Sequence, residues 1–369
     1  MRILLLSAYD TDSHKAWCQG LMAHLPHHQW QYLTLPGRFF SWRIRGNGLS
    51  YAYGEHAQIL SQAFDLIIAT SMVDLATLKG LVPNLANVPS LMYFHENQFA
   101  YPKSDAQHTS IEPQMVNLYG ALSADLVVFN SGFNQSSFMA GATDLFKRLP
   151  DHAPLNALDA IAEKSCVLPV PIETTTSSVN AALEKGQSLK VIWNHRWEYD
   201  KGPETLARVI ALSAQHEVNV TFSICGMAFR NIPQAFKSLQ KDMPKHLTHM
   251  GRFENKAEYK RQLSDHHVVL STAHHEFQGL ALLEGAAHGC VPLAPNRLAY
   301  PEWVSCECLY DSGTIENEAT AIVQTLARWQ SQGLPPQSNV CHYDWHALAE
   351  KYEQLFIQTY QARQPRSHL

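Results

Sequence analysis

Two successive series of alternating strand-like and helix-like segments predict an α/β protein built of two doubly wound halves. A proline-punctuated stretch followed by a polar one separates the series. Such a rhythm makes a parallel sheet with helices on both faces. The length, 369 residues, favours two domains over one.

In the first series, strands are expected over 3–7, 31–35, 65–69, 90–94 and 126–130, because each is a short apolar run bounded by turn residues. Helical patterns fill 14–24, 53–63, 115–123 and 132–139, and 144–165 reads as a helical excursion. The apolar run at 3–7 is too short and too quickly followed by Tyr9, Asp10, Asp12 and His14 to suit a signal peptide, so it reads as a buried first strand. The stretch 166–172 is extended and carries Pro169 and Pro171; Thr174–Ser178 is polar. The domain boundary is placed there, giving a first domain at 1–173 and a second at 187–349. A closing helix, about 350–369, is expected to cross back to the first half.

The second series reads as strand 190–194, helix 203–215, strand 219–225, helix 232–243, strand 247–250, helix 256–264 and strand 268–271. A small-residue helix ending at Gly289, a strand at 291–294 and closing helices complete it.

Composition excludes several classes. Apolar residues make up 46% and charged ones 17%, as in globular soluble proteins. No run of 18 apolar residues occurs, so no membrane span is expected. Seven scattered cysteines, without zinc-like spacing, argue against a disulfide framework and suit a cytoplasmic, reducing compartment. The formal net charge of −5 means that nucleic-acid binding requires a local basic patch. The pairs His27-His28, His266-His267 and His274-His275 invite a metal reading, but adjacent residues on a strand point to opposite faces, so no metal site is expected.

Ligands of doubly wound sheets bind beyond the carboxyl ends of the strands, and six stretches fall at such places or near them. Glu276-Phe277-Gln278-Gly279-Leu280 turns from loop into helix, and Glu284, with seven residues between it and Glu276, is expected about two turns in. The glycine permits close backbone approach, and the unpaired amides of the helix start can hold a phosphate. Two carboxylates beside them can accept hydrogen bonds from sugar hydroxyls, which suits a nucleotide-sugar. A solvated pair of glutamates on an ordinary helix fits the same spacing. Arg196 and Lys201 straddle a turn ahead of a helix opened by Pro203. Cations at the positive end of a helix are locally unfavourable, a conflict that a bound anion removes; a solvated basic turn is the alternative.

The loop His95-Glu96-Asn97-Gln98-Phe99-Ala100-Tyr101-Pro102 follows a buried strand and is nearly all polar or aromatic, as binding loops are. A polar turn satisfying its own amides is the alternative. A further loop carries Ser13, His14 and Lys15. Asn130-Ser131-Gly132 reads as a simple helix cap. In the segment 36–48, Arg38, Arg43 and Arg45 interleave with Phe39, Phe40 and Trp42. Arginine and aromatic faces stack on bases and pair with phosphates, the chemistry of a single-stranded nucleic-acid surface. Arginine stems lying on partly buried aromatics give the same pattern.

The Glu276–Glu284 spacing with its Gly279 turn, the Arg196 and Lys201 pair and the two α/β halves together resemble a retaining glycosyltransferase of family 4 with the GT-B architecture. The resemblance covers nearly the whole chain, although Glu-Phe-Gln-Gly stands where many members have Glu-Gly-Phe-Gly. It implies two Rossmann-like doubly wound domains facing a central cleft. Ser13-His14-Lys15, Trp42-Arg43-Ile44-Arg45 and, above all, His95–Pro102 resemble the tRNA-queuosine mannosyltransferase subfamily. That narrower resemblance implies GDP-mannose as donor and a queuosine-bearing tRNA as acceptor; no metal or other cofactor is expected, because Arg196, Lys201 and the helix start at 278–280 can neutralise the diphosphate and no DxD-type motif stands at a cleft loop.

Carried over by position, Arg196 and Lys201 neutralise the departing diphosphate, Glu276 holds hydroxyls of the transferred sugar, and Glu284 holds the ribose. Phe277, Gln278, Gly279 and Leu280 form the donor phosphate loop, with Gly251 and Arg252 at the base. His95 lies beside the reacting sugar, and Ser13 and His14 reach the donor phosphates or the acceptor. Lys15, Arg38, Trp42, Arg43, Arg45, Glu96, Asn97 and Gln98 are expected on the acceptor side. Two other functions fit the same chain: a glycosyltransferase of this fold acting on a lipid or small molecule, and a non-catalytic nucleotide- or RNA-binding module.

Overall fold

The computed structural model describes residues 1–101, 110–151, 153–174, 183–184, 186–226, 232–242 and 244–363. The chain divides into two compact units. One comprises Met1–Pro171 and Trp345–Leu369, the other Ile172–Asp344.

The first unit holds β1 (Arg2–Asp10), α1 (Asp12–His24), β2 (Gln29–Pro36), α2 (Phe40–Tyr53), α3 (Ala57–Leu60), β3 (Leu66–Thr70), α4 (Leu75–Leu81), β4 (Ser90–Phe94), α5 (Glu112–Ser123), β5 (Leu126–Phe129), α6 (Gly132–Arg148), α7 (Asn156–Glu163) and β6 (Ser165–Val167). Its described strands form one parallel sheet in the order β2-β1-β3-β4-β5-β6. Every residue of β3 and β4 is buried, as expected where helices cover both faces of a parallel sheet.

The second unit holds β7 (Leu189–Trp193), α8 (Pro203–Gln215), β8 (Val220–Cys225), α9 (Gln234–Asp242), β9 (Leu247–Gly251), α10 (Lys256–Asp265), β10 (Val268–Leu270), α11 (Leu280–Ala287), β11 (Val291–Pro295), β12 (Leu309–Tyr310) and α12 (Ile315–Gln332). Its sheet is again parallel, in the order β12-β11-β10-β7-β8-β9. The last helix, α13 (Trp345–Ala362), belongs to the first unit. There Tyr352 accepts a hydrogen bond from Trp17 Nε1 at 3.1 Å and donates to the Pro169 carbonyl at 2.9 Å.

Three expectations need correction. The helix expected over 53–63 is instead α2, with only the short α3 beyond it. Gly46 and Gly48 lower the helical propensity of α2, and its cap residue, Phe39, sits at φ 57° with no capping side chain. Tertiary bonds hold α2 in place: the buried Asn47 side chain donates to the Met72 carbonyl at 3.0 Å and accepts from the Asp74 amide at 2.9 Å. Second, β6 is a full member of the first sheet, where an extended boundary segment was expected. Third, His27 and His28 stand in the turn between α1 and β2, not on a strand. Their side chains converge, with ring centroids 4.1 Å apart.

The expected linker at 174–178 lies outside the described residues except for Thr174, as does Pro102 of the loop after β4.

Candidate active site

In the second unit, β7 ends and the chain enters the turn Asn194–Gly202 before α8. Gly202 closes that turn at φ +67°, and a Cβ there would stand 2.0 Å from the Thr272 carbonyl oxygen. Only glycine fits. The close approach lets the turn join the loop after β10. Thr272 Oγ1 donates to the Lys201 carbonyl at 2.8 Å, and the amides of His274 and His275 donate to the Asp200 carbonyl at 2.8 and 3.2 Å.

Lys201 is thereby buried. Its Nζ donates to the His275 carbonyl at 2.8 Å and lies 3.1 Å from Asp200 and 3.4 Å from Glu276. Burial alone lowers the ammonium pKa, but Glu276 and Asp200 outweigh it and raise the value. Burial pushes the Glu276 carboxyl up, and Lys201 and the neighbouring histidines overcome this and bring it down to about 2. Lys201 and Glu276 therefore stand as a preorganised ion pair. Arg196 is more exposed and pairs with Glu198 at 3.1 Å. The charge conflict that the sequence suggested at this helix start is already answered by Glu198, Asp200 and Glu276, so it does not by itself demand a ligand.

His195, between these groups, is buried, and its Nε2 has no hydrogen-bond partner among the described residues. Burial, and then Lys201, lowers its pKa to about 4, so the ring is neutral at physiological pH.

The loop after β10 reaches α11 through Glu276, Phe277, Gln278 and Gly279. Glu276 Oε1 accepts from the Phe277 amide at 3.1 Å. The buried Gln278 has its carbonyl held by Trp303 Nε1 at 3.2 Å. Gly279 caps the helix at φ +85°, and a Cβ there would meet the Tyr300 ring at 2.8 Å. The glycine is thus required by the chain's own packing, where close approach of a ligand was expected. Leu280 opens α11, whose first amides have no intrahelical partner. Glu284 is half-buried and accepts from Tyr259 Oη at 2.8 Å, while Asn194 Nδ2 donates to that Oη at 2.9 Å and to the Ala281 carbonyl at 2.8 Å. Gly251 ends β9 at φ +133° with open space beside its Cα, and Arg252 is exposed.

In the first unit, His95 follows β4 and is buried against Trp17, Tyr93 and His14, with ring centroids at 4.7, 4.7 and 4.3 Å. Neither of its ring nitrogens has a hydrogen-bond partner among the described residues. Burial, with His14 adding to it, holds its pKa well below the ordinary value. His14 lies within α1 and is buried; its Nε2 is 3.0 Å from Glu96. Burial lowers its pKa, but the Glu96 carboxylate more than reverses this, so the net shift is upward. Glu96 also accepts from Ser71 Oγ at 3.0 Å. The structure thus brings His14, His95 and Glu96 together.

Other expected acceptor-side residues are placed differently. Asn97 is fully buried: its Nδ2 donates to the Asn134 carbonyl, Asn134 Oδ1 and Ser137 Oγ at 2.9–3.1 Å, and its Oδ1 accepts from the Phe99 and Ala100 amides. Its hydrogen-bonding capacity is spent on shaping the loop, which corrects the expectation that it meets an acceptor. Gln98 is half-buried beside Met72. Ser13 and Lys15 are exposed on the first turn of α1. Arg43 is buried within α2, and Arg45 is committed to Asp74 at 2.8 Å and Glu112 at 2.9 Å. Burial removes Arg43 from an open RNA surface, whereas Arg45 stays exposed beside its acidic partners. Arg38 remains exposed, with its guanidinium 5.6 Å from the Phe39 ring centroid, and Phe39 and Trp42 are exposed at the start of α2.

Sequence reasoning missed Asp200, His195 and Tyr259. Asp200 and His195 flank the chosen cations, so local charge balance points to them. Tyr259 lies within a polar helix and carries no local signal.

Among the described residues, no helix is long and apolar enough to cross a membrane.

Comparison with known proteins supports the assignment. Residues 2–172 match the family described as tRNA-queuosine alpha-mannosyltransferase N-terminal. A tRNA-queuosine alpha-mannosyltransferase of Drosophila melanogaster is 33% identical over 320 residues, spanning 84% of this chain and 83% of that protein. Among solved structures, sucrose-phosphate synthase from Thermosynechococcus elongatus matches with a TM-score of 0.67 at 15% identity, covering 98% of this chain and all of the other. Anabaena HepE, solved with UDP and glucose, gives 0.65 at 16% identity over 97% of this chain and 100% of that one. These structural likenesses establish the GT-B fold, and the sequence relationship goes further: the chain is a glycosyltransferase and belongs to the tRNA-queuosine alpha-mannosyltransferase family.

Proposed function

We propose that this chain transfers mannose from GDP-mannose to the queuosine nucleoside of tRNA, with retention at the anomeric carbon. The observation that carries the donor half of this reading is the buried Lys201–Glu276 pair, set just before the amide tip of α11. Departure of a nucleoside diphosphate builds negative charge on the leaving oxygen and positive character on the sugar ring. A fixed ammonium, the guanidinium of Arg196 and unpaired helix amides stabilise the first without reorganisation. Glu276, ionised beside Lys201, accepts hydrogen bonds from sugar hydroxyls. Glu284, aimed by Tyr259, is assigned to the ribose.

In this reading no cofactor is needed, since cations of the chain itself neutralise the diphosphate. His95 is assigned to the reacting sugar, because a buried neutral imidazole with two unpartnered nitrogens can donate and accept hydrogen bonds. The leaving phosphate itself takes the acceptor proton, on the face from which it departs. Arg38, just before α2, and Trp42, on it, are assigned to the RNA.

The test is incubation of the purified chain with GDP-mannose and queuosine-containing tRNA, followed by nucleoside mass analysis. Queuosine gains the mass of one hexose under this reading. Unmodified queuosine, with hexose appearing from another nucleotide-sugar or on a lipid or small molecule, contradicts it.

A further inference from the structure

We propose that His27, His28 and Glu353 form a divalent-cation site of the first unit, suited to zinc, which fastens α13 to the turn between α1 and β2. The two histidines are adjacent in the chain, and on a strand they would point apart. The turn that carries them brings both rings to one side. Glu353 of α13 places a single carboxylate oxygen 3.2 Å from His27 Nε2 and 2.7 Å from His28 Nε2. The three candidate ligand atoms all lie within 4.8 Å of one another. Tetrahedral zinc at about 2.0–2.1 Å from nitrogen and oxygen ligands separates those ligands by roughly 3.3 Å; the carboxylate oxygen already stands near that spacing from both rings, and the rings, within 4.8 Å of each other, reach it by rotating towards the ion.

The chemistry of the donors also fits. Two imidazoles and one carboxylate form a borderline set that favours zinc over magnesium or calcium, and it leaves a coordination position for water. The surroundings are graded as a site with an entry path requires. His28 is buried against Trp30 and Phe356, Glu353 is partly covered, and His27 faces solvent. The ligands are 325 and 326 residues apart in sequence. A cation here therefore ties the last helix to the first helix–strand turn.

The experiment uses the full chain, stripped with EDTA and titrated with zinc chloride by calorimetry, with melting followed in parallel and Co²⁺ as a spectroscopic probe. Expected are one equivalent bound, a melting temperature that rises with zinc, and cobalt bands of a low-coordinate nitrogen–oxygen site. His27→Ala and Glu353→Gln should each weaken binding by about tenfold or more and remove the zinc-dependent rise in melting. His27→Ala in EDTA should melt like the stripped wild type, showing that the fold survives. Absence of uptake by the wild type overturns the proposal, and so does uptake that both variants retain, since the cation then sits on other histidines.

Discussion

Lys201 decides more than one property of this molecule. Its ammonium is enclosed by Asp200, Glu276 and the His275 carbonyl. Truncating one member of a buried charged cluster leaves its partners uncompensated, which costs about 3–5 kcal/mol. Lys201→Ala is therefore expected to lower both thermal stability and transfer. Arg196→Ala removes only a half-exposed pair, whose contribution to stability is about 0–1 kcal/mol. Transfer should fall by about 10²–10³-fold in that variant while melting barely moves. Melting curves beside a transfer assay check the contrast; equal destabilisation by the two variants would contradict the burial argument.

Glu276 gives a pH signature at the same scale. Its folded value, about 2, lies below the ordinary 4.5, so its contribution to stability is present above pH 4.5 and is lost as pH falls from 4.5 towards 2. The stability gap between wild type and Glu276→Gln should narrow across that window in urea melts; a constant gap would contradict it. Tyr259 works through another residue, holding Glu284 at 2.8 Å. A hydrogen bond to a charged group contributes about 1.5–3 kcal/mol. Tyr259→Phe should thus weaken GDP binding by about tenfold or more by calorimetry, and Glu284→Ala should weaken it at least as much. Unchanged affinity in both would remove the carboxylate from the nucleotide site.

Among the elements, α2 shows where sequence pattern and structure part. Its arginines and aromatics were legible as a group, but which side chains stay exposed and unpaired depends on Asn47 reaching Met72 and Asp74, and on Asp74 and Glu112 pairing with the exposed Arg45. Those partners lie 25 or more residues away, beyond any local pattern. The RNA test accordingly belongs to Arg38 and Trp42. Loss of a stacking aromatic costs about 1–3 kcal/mol per base, so Arg38→Glu combined with Trp42→Ala should weaken tRNA retention on filters tenfold or more and leave GDP binding intact. Arg43→Glu should instead impair folding. Retention equal to wild type in the double variant would make this face structural. By contrast α8, opened by Pro203 and packed through a regular apolar face, has the same bounds in sequence and structure, because its start signal and periodicity are local.

For the whole molecule, the alternation of strand and helix made both parallel sheets legible, since buried parallel strands are short continuous apolar runs. Strand order was not legible, nor was the capture of Asn97 by Asn134 and Ser137, because both depend on contacts distant in sequence. The net charge of −5 leaves recognition of a polyanion to local groups, and places the weight of the account on a donor site assembled within the second unit. A crystal structure with GDP bound tests that most directly. The account predicts the diphosphate within hydrogen-bonding distance of Lys201 Nζ, Arg196 and the first amides of α11, with the ribose on Glu284. A diphosphate held elsewhere, with Lys201 still closed on Asp200 and Glu276, would contradict it.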